Sequence, residues 1–307
     1  MGYIYEALQR IEEERKAAKT SAGGGLSVET HNDNGHDTLR VLQEITLGST
    51  TEAPAEASVS RFEHIEITDV PEDSRLVAIR EPSSPGAERF RVLATRLKNL
   101  QQKRPLKRLL ITSSIMQEGK SLVSSNLAIT LSRHGLQRVL LIDGDLRKPV
   151  LCKRFGLSGK RGLSEFLSGD EPAERFIYEV DPLQIHLLPA GSIPQNPLEL
   201  LQSGKLRGLL TQMSSMFDWI VVDSPPLVPV ADATVWGRLT DGMLLVTRQG
   251  VTDRRMLEKG LKPLDNPALL GVVFNDMNGI SHQYDYYSYK SHTPDKPAHT
   301  GSSNDSH

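Results

Sequence analysis

A phosphate-binding loop is the clearest chemical feature of the sequence. The segment RLLITSSIMQEGKSLVSSNLAITL reads as a strand, a loop and a helix, and its loop fits the pattern G-x-x-x-x-G-K-[ST] except that Ser114 occupies the first glycine position. Backbone N–H groups of such a loop, together with the N-terminus of the following helix, surround phosphate oxygens. We expect Lys120 to reach the β- and γ-phosphates of ATP and the Ser121 hydroxyl to bind Mg²⁺. The candidate nucleotide-binding residues of this segment are Ser114, Gln117, Glu118, Gly119, Lys120, Ser121 and Leu122.

Aspartates end two further apolar segments. In WIVVDSPP, Asp223 stands where P-loop enzymes keep the acidic residue that holds magnesium, often through water. A strand-end aspartate can also cap a helix or form a turn. In VLLIDGDLRKP, Asp143 and Asp145 would repel each other unless a cation or a shared proton offset their charge. Magnesium would supply that cation, and a solvated turn is the alternative.

Alternating strand and helix patterns must position these residues. They predict an α/β domain of the P-loop NTPase class, with a mostly parallel sheet flanked by helices on both faces. A helix is expected from Ser84 or Pro85 to Gln101. The predicted strands are Arg108 to Thr112, Arg138 to Ile142, Ile185 to Leu188, Trp219 to Val222, Gly242 to Thr247 and Gly271 to Asn275. Ligands on such sheets bind beyond the carboxyl ends of the strands, where the loop and the aspartates lie.

The sequence divides into four predicted regions. Residues 1–19 contain a short amphipathic helix, and residues 20–80 are polar, which predicts a flexible linker without a fold. Residues 81–280 form the predicted folded domain. Residues 281–307 are a polar tail for which we expect disorder, and it carries four of the seven tyrosines. Those tyrosines are Tyr284, Tyr286, Tyr287 and Tyr289.

Composition narrows the function classes. A net charge of -2 gives no reason to expect a nucleic-acid partner. Cys152 is the only cysteine, so no intrachain disulfide can form and a reducing, cytoplasmic compartment is expected. No apolar stretch approaches the roughly 20 residues of a membrane-spanning helix, and the charged N-terminus does not read as a signal peptide. Any membrane association should therefore come through a partner.

The combination of a phosphate loop, D-x-D-x-R after a hydrophobic strand and VVDSPP resembles the bacterial tyrosine kinases of capsule and exopolysaccharide loci. The similarity extends over roughly Glu88 to Asn275, with weaker matches at GLSEFLSG, AGSIPQNPLELL and LLGVVFN. The N-terminal segment MGYIYEALQRIEEER also resembles autokinases encoded in exopolysaccharide loci. The resemblance implies autophosphorylation, in which the tail of one subunit places a tyrosine in the site of its neighbour.

The resemblance also implies roles for single residues. Lys120 and Ser121 handle phosphates and magnesium, Asp223 and Asp145 support the metal, and Asp143 orients the incoming hydroxyl and can deprotonate it. The implied catalytic residues are therefore Lys120, Asp143 and Asp145. Asn275 matches the position that contacts adenine in related ATPases.

Subunit contact in the family uses an E-x-x-R-x-x-R pattern on the helix before the first strand. Glu88 and Arg91 fit this pattern, whereas Ala94 occupies the third position and Arg96 lies nearby. Self-association is still expected. The other implied partners are a membrane-embedded polysaccharide chain-length or export protein, which activates the kinase and recruits it to the inner face of the membrane, and a cognate tyrosine phosphatase.

Two other functions fit parts of the sequence. A partitioning or cell-division positioning ATPase shares the sheet and loop, but it carries a signature lysine where this chain has Ile115. A catalytically idle, nucleotide-binding scaffold is the second alternative. The intact set of motif residues argues against the scaffold without excluding it.

Overall fold

An eight-stranded sheet forms the centre of the domain. The computed structural model describes residues 62–67, 70–133, 137–228, 231–248, 250, 252, 254–262 and 269–275. The strands are β1 (Glu63–Glu66), β2 (Arg108–Ser113), β3 (Val139–Asp143), β4 (Tyr178–Asp181), β5 (Ile185–Leu188), β6 (Trp219–Asp223), β7 (Gly242–Arg248) and β8 (Leu269–Asn275). Their order across the sheet is β1-β4-β5-β3-β6-β2-β7-β8. All neighbouring pairs are parallel except β4 and β5.

Helices cover both faces of this sheet. They are α1 (Val77–Arg80), α2 (Pro85–Gln101), α3 (Lys120–Arg133), α4 (Leu151–Arg154), α5 (Leu163–Ser168), α6 (Pro197–Gln202), α7 (Gly204–Met216), α8 (Asp232–Leu239) and α9 (Arg254–Leu261), with short 3-10 helices at Glu72–Ser74 and Ala173–Phe176. Apolar side chains of α1 to α4 pack in one core cluster, and those of α5 to α9 pack in a second cluster on the other face. The predicted fold class is confirmed.

The predicted helix and all six predicted strands are present. Helix α2 begins where expected because the Ser84 hydroxyl accepts a hydrogen bond from the Ala87 N–H at 3.1 Å and Pro85 stands at the first helical position. The central strands β3 and β6 are buried along their whole length, as continuous apolar runs in a covered parallel sheet should be. Observed strand ends differ from the predicted ends by no more than two residues.

The N-terminal limit of the folded unit differs from the predicted one. Residues 62–67 and 70–80 were expected in the linker, but β1 pairs with β4, and Leu76 is completely buried. The side chain of Asn126 on α3 accepts a hydrogen bond from the Ala78 N–H at 3.0 Å and donates one to the Arg75 carbonyl at 3.2 Å. The folded unit therefore begins at or before Phe62 rather than at residue 81, because a polar segment gains its structure from edge pairing and one buried leucine.

Two predicted regions lie outside the described residues. These are the amphipathic helix at residues 1–19 and the tail with its four tyrosines, together with most of the linker. Among the described residues, no helix has both the length and the apolar character needed to cross a bilayer.

Candidate active site

The phosphate-binding loop connects the end of β2 to the first residue of α3. Gln117 and Gly119 adopt positive φ angles of 64° and 92°, which lets the backbone of the loop curl over the helix N-terminus. A Cβ atom on Gly119 would lie 2.0 Å from the Asn275 side-chain nitrogen, so only glycine fits there. The hydroxyl of Ser114, at the unusual first position, is buried without a hydrogen-bond partner in the described part of the chain.

Glu118 braces this loop from within. Its carboxylate is fully buried and accepts hydrogen bonds from the Ile115 N–H at 2.9 Å and from the Thr252 hydroxyl. Its carbonyl oxygen accepts a hydrogen bond from the Asn275 side-chain nitrogen at 3.0 Å. The loop is thus tied to the segment after β7 and to the end of β8. No sequence motif marks Thr252, and the family resemblance implies only an adenine contact for Asn275, which stays a prediction.

Lys120 forms an ion pair inside the site. Its Nζ lies 3.3 Å from Oδ2 of Asp145, and the two side chains are 12% and 5% exposed. Burial would lower the pKa of Lys120, but the negative charges of Asp223, Asp145 and Asp143 outweigh burial and raise it. Lys120 is therefore held in its charged form next to the position predicted for the phosphates.

Asp143 is enclosed by backbone donors. Its Oδ2 accepts hydrogen bonds from the N–H groups of Val150 at 3.1 Å and Leu151 at 3.0 Å, and its Oδ1 accepts one from Asp145 at 3.3 Å. Burial and the charge of Asp223 raise its pKa to about 7. The carboxylate thus caps α4 as well as facing the other two aspartates.

Asp223 is the least satisfied polar group of the site. It is completely buried, and neither carboxylate oxygen has a hydrogen bond of normal geometry within the described residues. Burial raises its pKa, while Lys120 and the nearby Ser121 hydroxyl act in the opposite direction. It stands in register opposite Asp143 on the neighbouring strand, and its carbonyl accepts the Gly144 N–H at 2.7 Å.

These residues fit a magnesium–nucleotide complex. A buried carboxylate without partners requires a cation or a proton, and Asp223 lies beside the hydroxyl of Ser121. Within the described ranges, no three acidic, histidine or cysteine side chains form a complete metal cage. The adjacent Asp223 carboxylate and Ser121 hydroxyl suit Mg²⁺, which keeps several waters and uses one or two protein ligands together with substrate phosphates. Asp145, the other predicted metal residue, is paired with Lys120 in this structure.

The loop after β3 is held from the side of α8. The guanidinium of Arg147 donates two hydrogen bonds to the buried Asp232 carboxylate, at 2.8 and 3.1 Å. The indole N–H of Trp236 donates to the Gly144 carbonyl at 3.2 Å. A Cβ on Gly144 would lie 2.8 Å from that indole, so the loop needs glycine between its two aspartates.

The predicted subunit-contact residues lie away from this site. Glu88 and Arg91 pair with each other on α2, with Nε of Arg91 donating to Oε2 of Glu88 at 2.6 Å. Ala94 is 3% exposed and packs inward, so the third position of the pattern does not point to the surface. The structure therefore leaves Glu88 and Arg91 as a surface pair, and their contact with another subunit stays a prediction.

Comparison with known proteins places this geometry among kinases. Tyrosine-protein kinase YwqD of Bacillus subtilis is 34% identical over 218 residues, which cover 70% of this chain and 92% of that protein. The solved kinase domain of Escherichia coli tyrosine kinase ETK is 31% identical with a TM-score of 0.64, covering 69% of this chain and 84% of that one. The chimerical protein CapA2B2 is 28% identical with a TM-score of 0.63, covering 70% and 93%. No protein-family model matches the sequence.

Proposed function

The chain belongs to the family of bacterial tyrosine kinases, and we propose that it transfers the γ-phosphate of ATP, in trans, to the tail tyrosines of a second copy. The acceptors are Tyr284, Tyr286, Tyr287 and Tyr289. The observation that carries this proposal is the buried Asp223 carboxylate, which has no hydrogen-bond partner among the residues that the structure describes and lies beside Ser121 and opposite Asp143. A switch that only hydrolysed ATP would use water as the acceptor and would have no need of the tail tyrosines.

Each site residue has a separate task in this transfer. Lys120 exchanges Asp145 for the phosphate oxygens, and the backbone N–H groups of the loop hold those oxygens in place. Ser121 and Asp223, with Asp145 once it leaves Lys120, would hold Mg²⁺. Bound Mg²⁺ would offset the charge of the phosphates and of the carboxylates. The remaining work is positioning, because phosphoryl transfer has a loose transition state.

Asp143 is the proposed partner of the acceptor hydroxyl. A phenol has a solution pKa near ~10, so a nearby proton acceptor assists its attack. The pKa of Asp143 is raised to about 7, which makes it a stronger base than an ordinary aspartate. The three backbone N–H groups around Asp143 fix its orientation. The acceptor hydroxyl would approach from the side of the Asp145 carboxylate.

The end of β8 sets the starting point of the tail. Asn275 contacts the phosphate-binding loop of its own subunit, and Tyr284 and Tyr289 follow it by nine and fourteen residues. An extended chain of that length reaches roughly 30 to 46 Å. Reach alone therefore permits delivery to the same subunit or to a neighbour, and a mixing experiment must separate the two.

The proposal includes the setting of the kinase. The chain would act as a homo-oligomer that uses Glu88 and Arg91, and it would regulate capsule or exopolysaccharide synthesis. A membrane protein governing polysaccharide chain length or export would recruit it from the cytoplasm to the membrane and activate it, and a tyrosine phosphatase would reverse the modification. The solved CapA2B2 relative is a chimerical protein, which is consistent with help from a second chain.

A mixing experiment tests the proposed transfer. The donor is the full chain with all four tail tyrosines changed to Ala, and the acceptor is the full chain with Lys120→Met. Incubation with Mg²⁺ and ATP should give phosphotyrosine on the acceptor, at sites that mass spectrometry maps to the tail.

Three outcomes would contradict the proposal. ATP hydrolysis without phosphotyrosine would indicate a nucleotide-dependent switch, and nucleotide binding without either reaction would indicate a scaffold. Labelling that appears only in an intact wild-type chain, at a rate independent of protein concentration, would replace transfer in trans by transfer within one subunit.

A further inference from the structure

We propose that Met116 and Lys148 contact the aromatic ring of the acceptor tyrosine and thereby select tyrosine at this site. This assignment rests on the proposed transfer to tyrosine and adds the residues that recognise the ring. Met116 belongs to the phosphate-binding loop, and Lys148 belongs to the loop that carries the two aspartates after β3. Neither residue takes part in the handling of phosphate or metal described above.

The side chains of Met116 and Lys148 contact each other. Nζ of Lys148 lies 3.6 Å from the sulfur of Met116, so the pair connects the two loops. The backbone N–H of Lys148 donates to Oδ1 of Asp145 at 3.0 Å, while Lys120 contacts Oδ2 of the same carboxylate. The backbone of Lys148 thus contacts Asp145, and its side chain contacts Met116 on the phosphate-binding loop.

Solvent exposure distinguishes Met116 and Lys148 from the buried carboxylates of the site. Met116 is 51% exposed, and Lys148 is also exposed, whereas Asp145 is buried. Met116 belongs to neither of the two core clusters formed by the described residues. Arg147, the neighbouring cation, is unavailable for a ligand because Asp232 holds its guanidinium at two points.

The chemistry of the pair matches a phenol ring. An ammonium group is attracted to the face of an aromatic ring within roughly 6 Å of its centre. A thioether sulfur packs favourably at a ring edge, and the flexible methionine side chain adapts to its position. Serine and threonine would gain neither contact, so the pair favours tyrosine over the other hydroxyl acceptors. A ring held there would direct its hydroxyl inward, toward Asp145 and Asp143.

Acceptor kinetics test the assignment. Donor chains with the four tail tyrosines changed to Ala would also carry Met116→Ala or Lys148→Gln, and the Lys120→Met chain would serve as the varied acceptor. We expect the KM for the acceptor to rise about 2- to 10-fold with each change, as loss of one such ring contact implies. The affinity for a fluorescent ATP analogue with Mg²⁺ should not change. Lys148→Arg keeps the cation and should restore the wild-type KM.

Matched controls use the same residue types elsewhere on the surface. Met256→Ala removes another exposed methionine, on α9, and Lys103→Gln removes an exposed lysine just after α2. Neither should alter the KM for the acceptor.

Each outcome decides the assignment. An unchanged KM in both donor variants would refute the ring contact, and a parallel loss of nucleotide affinity would assign the pair to phosphate binding or loop folding instead. Failure of the four-tyrosine donor with Met116 and Lys148 unchanged to label the acceptor would refute the proposed function itself, so the two failures are distinguishable.

Discussion

Replacing Asp223 by asparagine should stabilise the nucleotide-free protein more at pH 8 than at pH 5. Asp143 and Asp223 stand in register on neighbouring strands, whose backbones are about 5 Å apart. Two unit charges at that distance repel by about 3 kcal/mol at an effective dielectric constant near 20. Removing one charge would then lower the pKa of Asp143 from about 7 toward about 5.

The sign of the pH effect follows from proton linkage. Both carboxyl groups have pKa values raised above that of an ordinary aspartate, so the folded protein binds protons that the unfolded chain has released. The contribution of Asp143 to stability is fully present below about pH 4 and is lost as the pH rises through about 7, and that of Asp223 is lost as the pH rises through its own raised pKa. In the Asp223→Asn variant one of the two charges is absent, so the protein loses less stability as the pH rises. Its effect on the free energy of unfolding should be more favourable at pH 8 than at pH 5 by up to about 3 kcal/mol.

Urea unfolding of the nucleotide-free protein at the two pH values measures this difference. The buried amide of the variant lacks partners at either pH, and its cost of about 1 to 3 kcal/mol cancels in the comparison. Asp241→Asn is the matched control, because hydrogen bonds from Arg108 and Lys107 lower the pKa of Asp241. The contribution of Asp241 to the free energy of unfolding is present above the ordinary aspartate pKa and is lost only below it. Asp241→Asn should therefore lower the free energy of unfolding equally at pH 5 and pH 8.

One result would refute this reasoning. If Asp223→Asn changed stability by the same amount at both pH values, the carboxylates would not repel each other in the folded protein. Carboxyl NMR titration of Asp143 would then show the same midpoint in the wild type and the variant.

Two further predictions concern the loop and the N-terminal limit of the domain. Gly119→Ala should lower the affinity for ATP at least about tenfold, because it combines a left-handed backbone with a Cβ that overlaps Asn275; a titration that matched the wild type would show that the loop shifts freely. A chain beginning at residue 81 should lose about 3 to 6 kcal/mol of unfolding free energy relative to one beginning at residue 62, since it lacks Leu76 and the hydrogen bonds of the Asn126 side chain to Ala78 and Arg75. Equal denaturant midpoints for the two chains would contradict that role for residues 62–80.

Most of the fold could be predicted because its central strands are long, apolar and covered on both faces. The two strands absent from the prediction, β1 and β4, read EHIE and YEVD and have only four residues each. Such segments carry little apolar signal. The strand structure of β1 depends on pairing with residues more than 100 positions away, whereas β4 also pairs with the nearby β5. Local sequence patterns therefore fail to predict strands that depend on long-range pairing. For the same reason they predict a linker that extends to residue 80.

The contacts that hold the phosphate-binding loop could not be predicted from the sequence, because they also join residues that are far apart in the chain. Glu118 meets Thr252 and Asn275 across separations of 134 and 157 residues. Nothing near Thr252 in the sequence marks it as a partner of a buried carboxylate. By contrast, the Asp143 and Asp223 positions follow from their places at strand ends, because parallel strands deliver their carboxyl ends to one edge of the sheet.

Short motifs can specify a group of carboxylates that repel one another, because strand pairing brings these side chains together. Asp143 and Asp223 are adjacent because β3 and β6 pair in register through buried apolar residues. The spacing of the charges is set by backbone hydrogen bonds and apolar burial, and no attraction between the side chains is required. Asp223 can consequently remain without a hydrogen-bond partner among the described residues, and the free-energy cost of its burial falls when a cation or a proton binds. The sheet thus positions the site for magnesium and phosphate, and the repulsion between its carboxylates lowers the stability of the nucleotide-free protein.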